Sequence, residues 1–214
     1  MRIAAIVVAA GTGERFGDRK QFCDVGGQTA AARAVGGARS LAEVVVLVAP
    51  RDALDESHGA DVVVAGGATR SASVRAGLAA VDPAVEVIVV HDAARPLATP
   101  ALFRAVVDAL AAPEVDGAIP GMPVTDTLKV LVPGPDREVR ATLDRAMVVA
   151  VQTPQAFKAA VLRRAHEGGA EATDDAALVE AVGGRVVVVE GEAQNRKLTT
   201  PDDLDAIVSG LAST

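Results

Sequence analysis

Apolar residues recur along the chain in short unbroken runs rather than in alternation. The runs predict strands over 3–9, 44–49, 61–65, 86–90, 116–120 and 185–190, several of them nearly pure valine. A strand covered on one face alternates apolar and polar residues; one buried on both faces, as in a parallel sheet between helical layers, does not. Segments 28–40, 70–81, 99–112, 156–167 and 173–182 fit the connecting helices. Repeated strand–helix–strand order implies right-handed crossovers and a doubly wound, mostly parallel α/β sheet. Thr200-Pro201-Asp202-Asp203 predicts a last helix, with a hydroxyl cap, a proline in the first turn and acids at the positive dipole end.

One stretch departs from this rhythm. Between 122 and 151, two alternating segments (125–132 and 138–143) flank Pro133-Gly134-Pro135-Asp136. Period-two alternation around a Pro/Gly turn reads as a β-hairpin. Inserted in a parallel domain, it has little core to cover and reads as an arm reaching for a partner subunit. No repeat, low-complexity tract or linker interrupts 1–214, which is read as one domain.

The break after the first apolar run carries the first candidate chemistry. Gly11 and Gly13 let the backbone approach a ligand and turn N–H groups toward an anion, and Arg15 and Lys20 add charge. The spacing is not a dinucleotide fingerprint, because Phe16 stands where the third glycine belongs, and no Gly-Lys-Ser/Thr follows as in a P-loop. A plain strand-to-helix turn is the alternative to an anion site. Gly66-Gly67-Ala68-Thr69-Arg70-Ser71-Ala72-Ser73 opens a helix and suits a polar ligand edge or simple capping. His91-Asp92-Ala93-Ala94-Arg95-Pro96 ends the fourth run, which delivers Asp92 and Arg95 to the carboxyl edge of the sheet, where open α/β folds bind ligands. A carboxylate there can hold a sugar hydroxyl or hydrated Mg²⁺, and an arginine can clamp phosphate; an Asp–Arg loop brace is the alternative. His91 reads as structural. Thr127 and Arg145 read as surface positions, Thr153 and Thr173-Asp174-Asp175 as helix starts. Lys197 is either a solvated lysine or one more cation in the cleft.

Composition narrows the class. The net charge of −7 argues against sequence-independent nucleic-acid or anionic-membrane binding. A lone cysteine excludes an intramolecular disulfide and a cysteine-based zinc site. No apolar run approaches the ~20 residues of a membrane helix, and the short apolar start meets the glycine loop without a cleavage signature. A soluble cytoplasmic protein is expected.

Ala9-Ala10-Gly11-x-Gly13-x-Arg15, Lys20-Gln21-Phe22, the His91–Pro96 block, Asp126-Thr127-Leu128-Lys129, Asp144-Arg145, Thr153-Pro154-Gln155 and Lys197 occur in this order. Together they resemble the 2-C-methyl-D-erythritol 4-phosphate cytidylyltransferase family of the non-mevalonate isoprenoid pathway, over residues 3 to about 208. The resemblance implies a Rossmann-like nucleotidyltransferase fold with an inserted β-hairpin arm, a homodimer joined through that arm, and Mg²⁺-dependent reaction of CTP with methylerythritol phosphate. It implies Arg15, Lys20 and Lys197 as catalytic cations, the first two on the CTP phosphates beside Gly11 and Gly13. Ala9, Ala10, Gly67, Ala68 and Ser73 would recognise cytosine. Asp92, Ala93, Arg95 and Thr153, with Lys197, would hold the acceptor, and Thr127 and Arg145 would reach it from the neighbouring subunit. The rival readings are a ribitol 5-phosphate cytidylyltransferase and a non-catalytic nucleotide-binding module.

Overall fold

The computed structural model describes residues 1–11, 16 and 19–211. Its strands are β1 (Ile3–Val8), β2 (Val44–Ala49), β3 (Val62–Ala65), β4 (Val87–Asp92), β5 (Gly117–Pro123), β6 (Lys129–Leu131), β7 (Val139–Thr142), β8 (Val149–Val151), β9 (Gln155–Lys158) and β10 (Val186–Glu190). Its α-helices are α1 (Ala30–Arg39), α2 (Arg70–Ala79), α3 (Pro100–Asp108), α4 (Ala159–Ala165), α5 (Asp175–Ala181) and α6 (Pro201–Leu211). The main sheet runs β10-β5-β9-β4-β1-β2-β3, with β8 paired to β5. Strands β1, β2, β3 and β4 are mutually parallel, as are β5 and β10, whereas β9 runs antiparallel between β4 and β5.

The central runs β1, β2 and β4 are covered on both faces, whereas the edge strands β3 and β10 are only partly buried, with Val188 51% exposed. Along β1, Ile3, Ala5 and Val7 join the cluster under α1 and α3, whose inward residues include Ala34, Val35, Phe103 and Val106. Ala4 and Ile6 point the other way, into the cluster under α2, α4 and α5 with Val74, Leu78, Leu162 and Val179. Small residues bring the layers close. A Cβ on Gly77 of α2 would sit 2.5 Å from Ile6 Cγ2. Each of α1, α2 and α3 starts at a threonine whose hydroxyl accepts from a backbone N–H three residues on, at 3.0–3.2 Å, which satisfies one of the exposed first-turn donors.

Two sequence expectations require correction. Segment 156–167 is not one helix: Gln155–Lys158 form β9, and α4 begins only at Ala159. Ala156 and Phe157 are fully buried, and this short apolar segment fills the gap between β4 and β5, a tertiary pairing that local periodicity cannot register. The 122–151 insertion does contain a separate two-stranded sheet, β6 with β7. Its strands are shorter than predicted, however, and its last residues, β8, return to the main sheet beside Gly121–Pro123. Thr200 opens α6 as expected, but Asp203 reaches back to accept the backbone N–H groups of Thr199 and Thr200, each at 2.9 Å.

Phe157 is one of the largest fully buried side chains. Phe157→Ala is expected to lower unfolding free energy by about 3–5 kcal/mol, measured by urea denaturation; a loss under about 1 kcal/mol would mean that β9 contributes little to holding the two halves of the sheet together.

Candidate active site

Strand order reverses at β1: the chain leaves β1 toward β2 and β3, and later comes back to β4 on the other side. Such a switch point opens a crevice at the carboxyl ends of the two strands. Val8 and Asp92 face each other there in register, so β1 and β4 deliver Ala9-Ala10-Gly11 and Asp92-Ala93-Ala94-Arg95 to the same edge.

A cleft of about 430 Å³ occupies this edge, lined by Ala9, Ala10, Gly11, Lys20, Gly67, Ala68, Ser73, Asp92 and Lys197 among others. Its apolar wall depends on two glycines. A Cβ on Gly66 would lie 2.2 Å from Ala10 Cβ, and one on Gly67 2.5 Å from Ala72 Cβ. Ser73 accepts from Gly67 N–H at 3.2 Å and donates to Thr69 O at 2.9 Å, so its hydroxyl braces the loop. Buried Gln21 donates to Gly11 O at 3.1 Å and ties the Lys20 turn to the end of β1.

A second cleft of about 320 Å³ lies alongside, lined by Arg95, Gln152, Thr153, Gln155 and Thr173. Arg70, Asp92 and Lys197 line both clefts and form their common wall. Asp92 accepts from Arg70 Nε at 3.2 Å and from Lys197 Nζ at 2.7 Å. Burial would raise its pKa, but the two cations prevail and hold the carboxyl well below the usual carboxylate range. Arg70 also donates to the fully buried Asp175 at 2.8 Å, and the two carboxylates outweigh the cost of burial to raise its pKa. Lys197 lies outside any helix or strand but is not loosely placed. The next residue, Leu198, is fully buried beside Val25, Ala94 and Ile207, and its N–H donates to Ala94 O at 2.7 Å.

The second cleft is assembled by β9 and its approach. Thr153 accepts from Asp92 N–H at 3.0 Å and lies 3.0 Å from His91 Nδ1. Arg95 O, 3.1 Å from Nε2, can only accept, so Nε2 carries a proton, and in the neutral ring Nδ1 accepts from the Thr153 hydroxyl. Burial keeps the imidazole neutral by pushing the His91 pKa down to about 4. Arg95 donates to the carbonyls of Asn195 (2.7 Å) and Val151 (3.2 Å). It is a clamp on the second cleft, not a partner of the Asp92 side chain.

The structure thus brings together Ala9, Ala10, Gly11, Lys20, Gly67, Ala68, Ser73, Asp92, Arg95, Thr153 and Lys197. Ala93 is buried behind them, its N–H on Val8 O. Gly13 and Arg15 lie outside the described residues. Thr127 and Arg145 are exposed and line neither cleft; Arg145 donates to Thr125 O at 2.5 Å. Thr153 is not a helix cap, because the segment after it is a strand. Sequence reasoning missed Arg70 and Asp175. Arg70 stood in the quoted glycine block, but Asp175 read as one of two acids at a helix start, where Asp174 is the cap.

The site therefore offers a cleft with an apolar, backbone-edged wall and cations at one end, joined through a charged wall to a smaller polar cleft. That suits a nucleotide meeting a second anionic, hydroxylated ligand. The family described as IspD, 2-C-methyl-D-erythritol 4-phosphate cytidylyltransferase, matches residues 3–209. The chain belongs to this family. A cytidylyltransferase of that name from Rhodococcus jostii is 44% identical over 212 residues, covering 94% of this chain and 92% of that one. A bifunctional IspD/IspF enzyme from Clavibacter michiganensis subsp. michiganensis is 47% identical over 219 residues, covering 95% of this chain and 53% of the enzyme. The chain spans about half the length of the bifunctional relatives it matches. Among solved structures, the 4-diphosphocytidyl-2C-methyl-D-erythritol synthase of Anaerococcus prevotii superposes with TM-score 0.84 at 30% identity, covering 99% and 98% of the two chains. The cytidylyltransferase of Thermus thermophilus does so at 0.80 and 36%, with 98% of each chain covered. Membership of the IspD family agrees with the mostly parallel α/β sheet and its switch-point cleft.

The buried neutral His91 has a consequence for stability. Its folded pKa lies below the unfolded value of about 6.5, so its contribution is fully present above that pH and is lost as pH falls toward about 4. The loss is on the order of 3 kcal/mol. Urea midpoints measured between pH 7 and 4 are expected to fall more steeply in the wild type than in His91→Gln; equal slopes would contradict the neutral assignment.

Proposed function

We propose that the chain transfers the cytidylyl group of CTP to the phosphate of 2-C-methyl-D-erythritol 4-phosphate, giving 4-diphosphocytidyl-2-C-methyl-D-erythritol and pyrophosphate. The observation that carries this reading is the wall of Arg70, Asp92 and Lys197 common to both clefts, where two bound polyanions would meet. CTP fits the larger cleft, with its base against Ala9, Ala10, Gly67 and Ala68 and its phosphates toward Lys20. The acceptor fits the smaller one, near Arg95 and Thr153.

A phosphate monoester has a second pKa near about 6 and is largely a dianion at neutral pH, so its oxygen needs no general base. It attacks the α-phosphorus of CTP. A P–O bond forms there as the bond to the bridging oxygen breaks, and the electron pair leaves with pyrophosphate. The protein's task is to hold two anions in line and to stabilise the charge that shifts onto the leaving group. Lys20 and Lys197, both lining the larger cleft, would supply that charge. Asp92 is the one carboxylate lining the larger cleft among the described residues, and it already accepts from two cations. With both oxygens so engaged, Asp92 would meet a Mg²⁺ held by phosphate oxygens only through water. When bound, the ion would neutralise triphosphate charge.

The same reading makes the active form a homodimer. Leu131, Val139, Leu143 and Met147 are 37–82% exposed on and beside the hairpin, a surface suited to a second copy. Thr127 and Arg145 would then reach the neighbour's acceptor cleft. A cytoplasmic location, where CTP is available, goes with this reading.

Pyrophosphate release with CTP, Mg²⁺ and either acceptor tests the proposal. Methylerythritol phosphate is expected to be turned over in preference to ribitol 5-phosphate; the reverse preference, or CTP binding without release, would overturn it. Lys20→Ala is expected to lower kcat by on the order of 10²–10³ with an unchanged circular dichroism spectrum. Arg19 pairs with Asp52 away from the cleft and is not placed to substitute. Mixing inactive Arg145→Ala and Lys197→Ala proteins is expected to restore part of the activity, and no recovery would remove the shared-site reading.

A further inference from the structure

The wall between the clefts continues inward as a row of alternating charge, whose inner members, Asp175 and His166, line neither cleft. Asp175 of α5, fully buried, accepts from His166 Nε2 at 2.9 Å and from Arg70 Nη1 at 2.8 Å. Arg70 then holds Asp92 Oδ1, and Asp92 Oδ2 holds Lys197. The remaining Arg70 nitrogen, Nη2, is enclosed without a hydrogen-bond partner among the described residues, where two carboxylates orient the guanidinium. Stability is a poor reason for this arrangement. A cation at the first residue of α2 opposes the helix dipole, and buried ion pairs are often no more stabilising than apolar residues of the same volume.

We infer that Arg70 and Asp175 are positioning residues that share the charge of Asp92 and so hold Lys197 at the junction of the clefts with its ammonium available to an incoming phosphate. Without Arg70, the whole carboxylate charge of Asp92 falls on Lys197, and the lysine is drawn away from the reacting groups. Asp175 fixes the guanidinium from behind. Lysine would not serve in place of Arg70, because a point charge cannot make the forked contact to two carboxylates. The inference deepens the cytidylyl-transfer reading and rests on it.

The test is Arg70→Met combined with Asp175→Asn, which removes one charge of each sign and keeps an acceptor for His166. If the row serves positioning, the folded double variant loses about 10–100-fold in kcat, the scale that small misplacements produce, while its KM for CTP stays within about twofold. Guanidinium ion added to Arg70→Ala then restores part of kcat. A folded double variant with wild-type kcat, or a loss confined to KM for CTP, overturns the inference. Should the double variant not fold, Arg70→Lys is read the same way, and an undiminished kcat overturns it. If the wild type releases no pyrophosphate with either acceptor, the transfer reading fails separately. The row is then tested by the ¹⁵N signal of the Lys197 ammonium, assigned with Lys197→Arg. A shift between wild type and double variant supports the positioning, and an unchanged signal overturns it.

Discussion

A carboxylate buried at the end of a covered strand has to be neutralised where it stands, and Asp92 is that carboxylate. β4 delivers it to the sheet edge with 8% of its surface exposed, too little for water to solvate it. Its partners therefore come from the protein: Arg70 from the start of α2 and Lys197 from the segment before α6. These lie far apart in sequence, and Asp92 draws them to one point. The loop after β3, the end of β4 and the segment after β10 converge on the site because one charge requires them to.

The sheet makes that convergence possible. Reversal of strand order between β1 and β4 leaves a crevice that helices on both faces do not fill. Gly66 lets the loop after β3 close against Ala10, and Gly67 lets it close against Ala72 of α2. The antiparallel β9 completes the other side. It slots between β4 and β5 and brings Thr153 to the backbone of Asp92 and to His91, while Asn195 donates to Thr153 O at 2.9 Å and to Gln152 Oε1 at 3.1 Å. A buried hydrogen-bonded group of this kind has one satisfactory geometry, which makes the second cleft well defined.

His91 illustrates how structural and functional roles adjoin. Its ring lies edge-on to Phe103, with centroids 5.0 Å apart, and its two nitrogens join the Thr153 hydroxyl to the turn at Arg95. It carries no charge to the site. It ties β4 to the segment that leads into β9, beside the second cleft.

Much of this was legible in the residues alone. Unbroken apolar runs determined the strands of a covered parallel sheet, although the edge runs β3 and β10 show the same pattern with only partial burial. Glycines at 11 and 66–67, and a charged block at the end of an apolar run, marked the edge where the clefts open, because close approach and strand-end placement leave local traces. What tertiary structure alone decided has no such trace. Gln155–Lys158 is a strand only because β4 and β5 leave a gap for it. Thr153 serves Asp92 and not a helix end. Asp175 looks like any acid in a first helical turn until Arg70 arrives from 105 residues away. Local sequence records the backbone's own preferences and the burial of a face; it does not record which distant charge a buried carboxylate will meet.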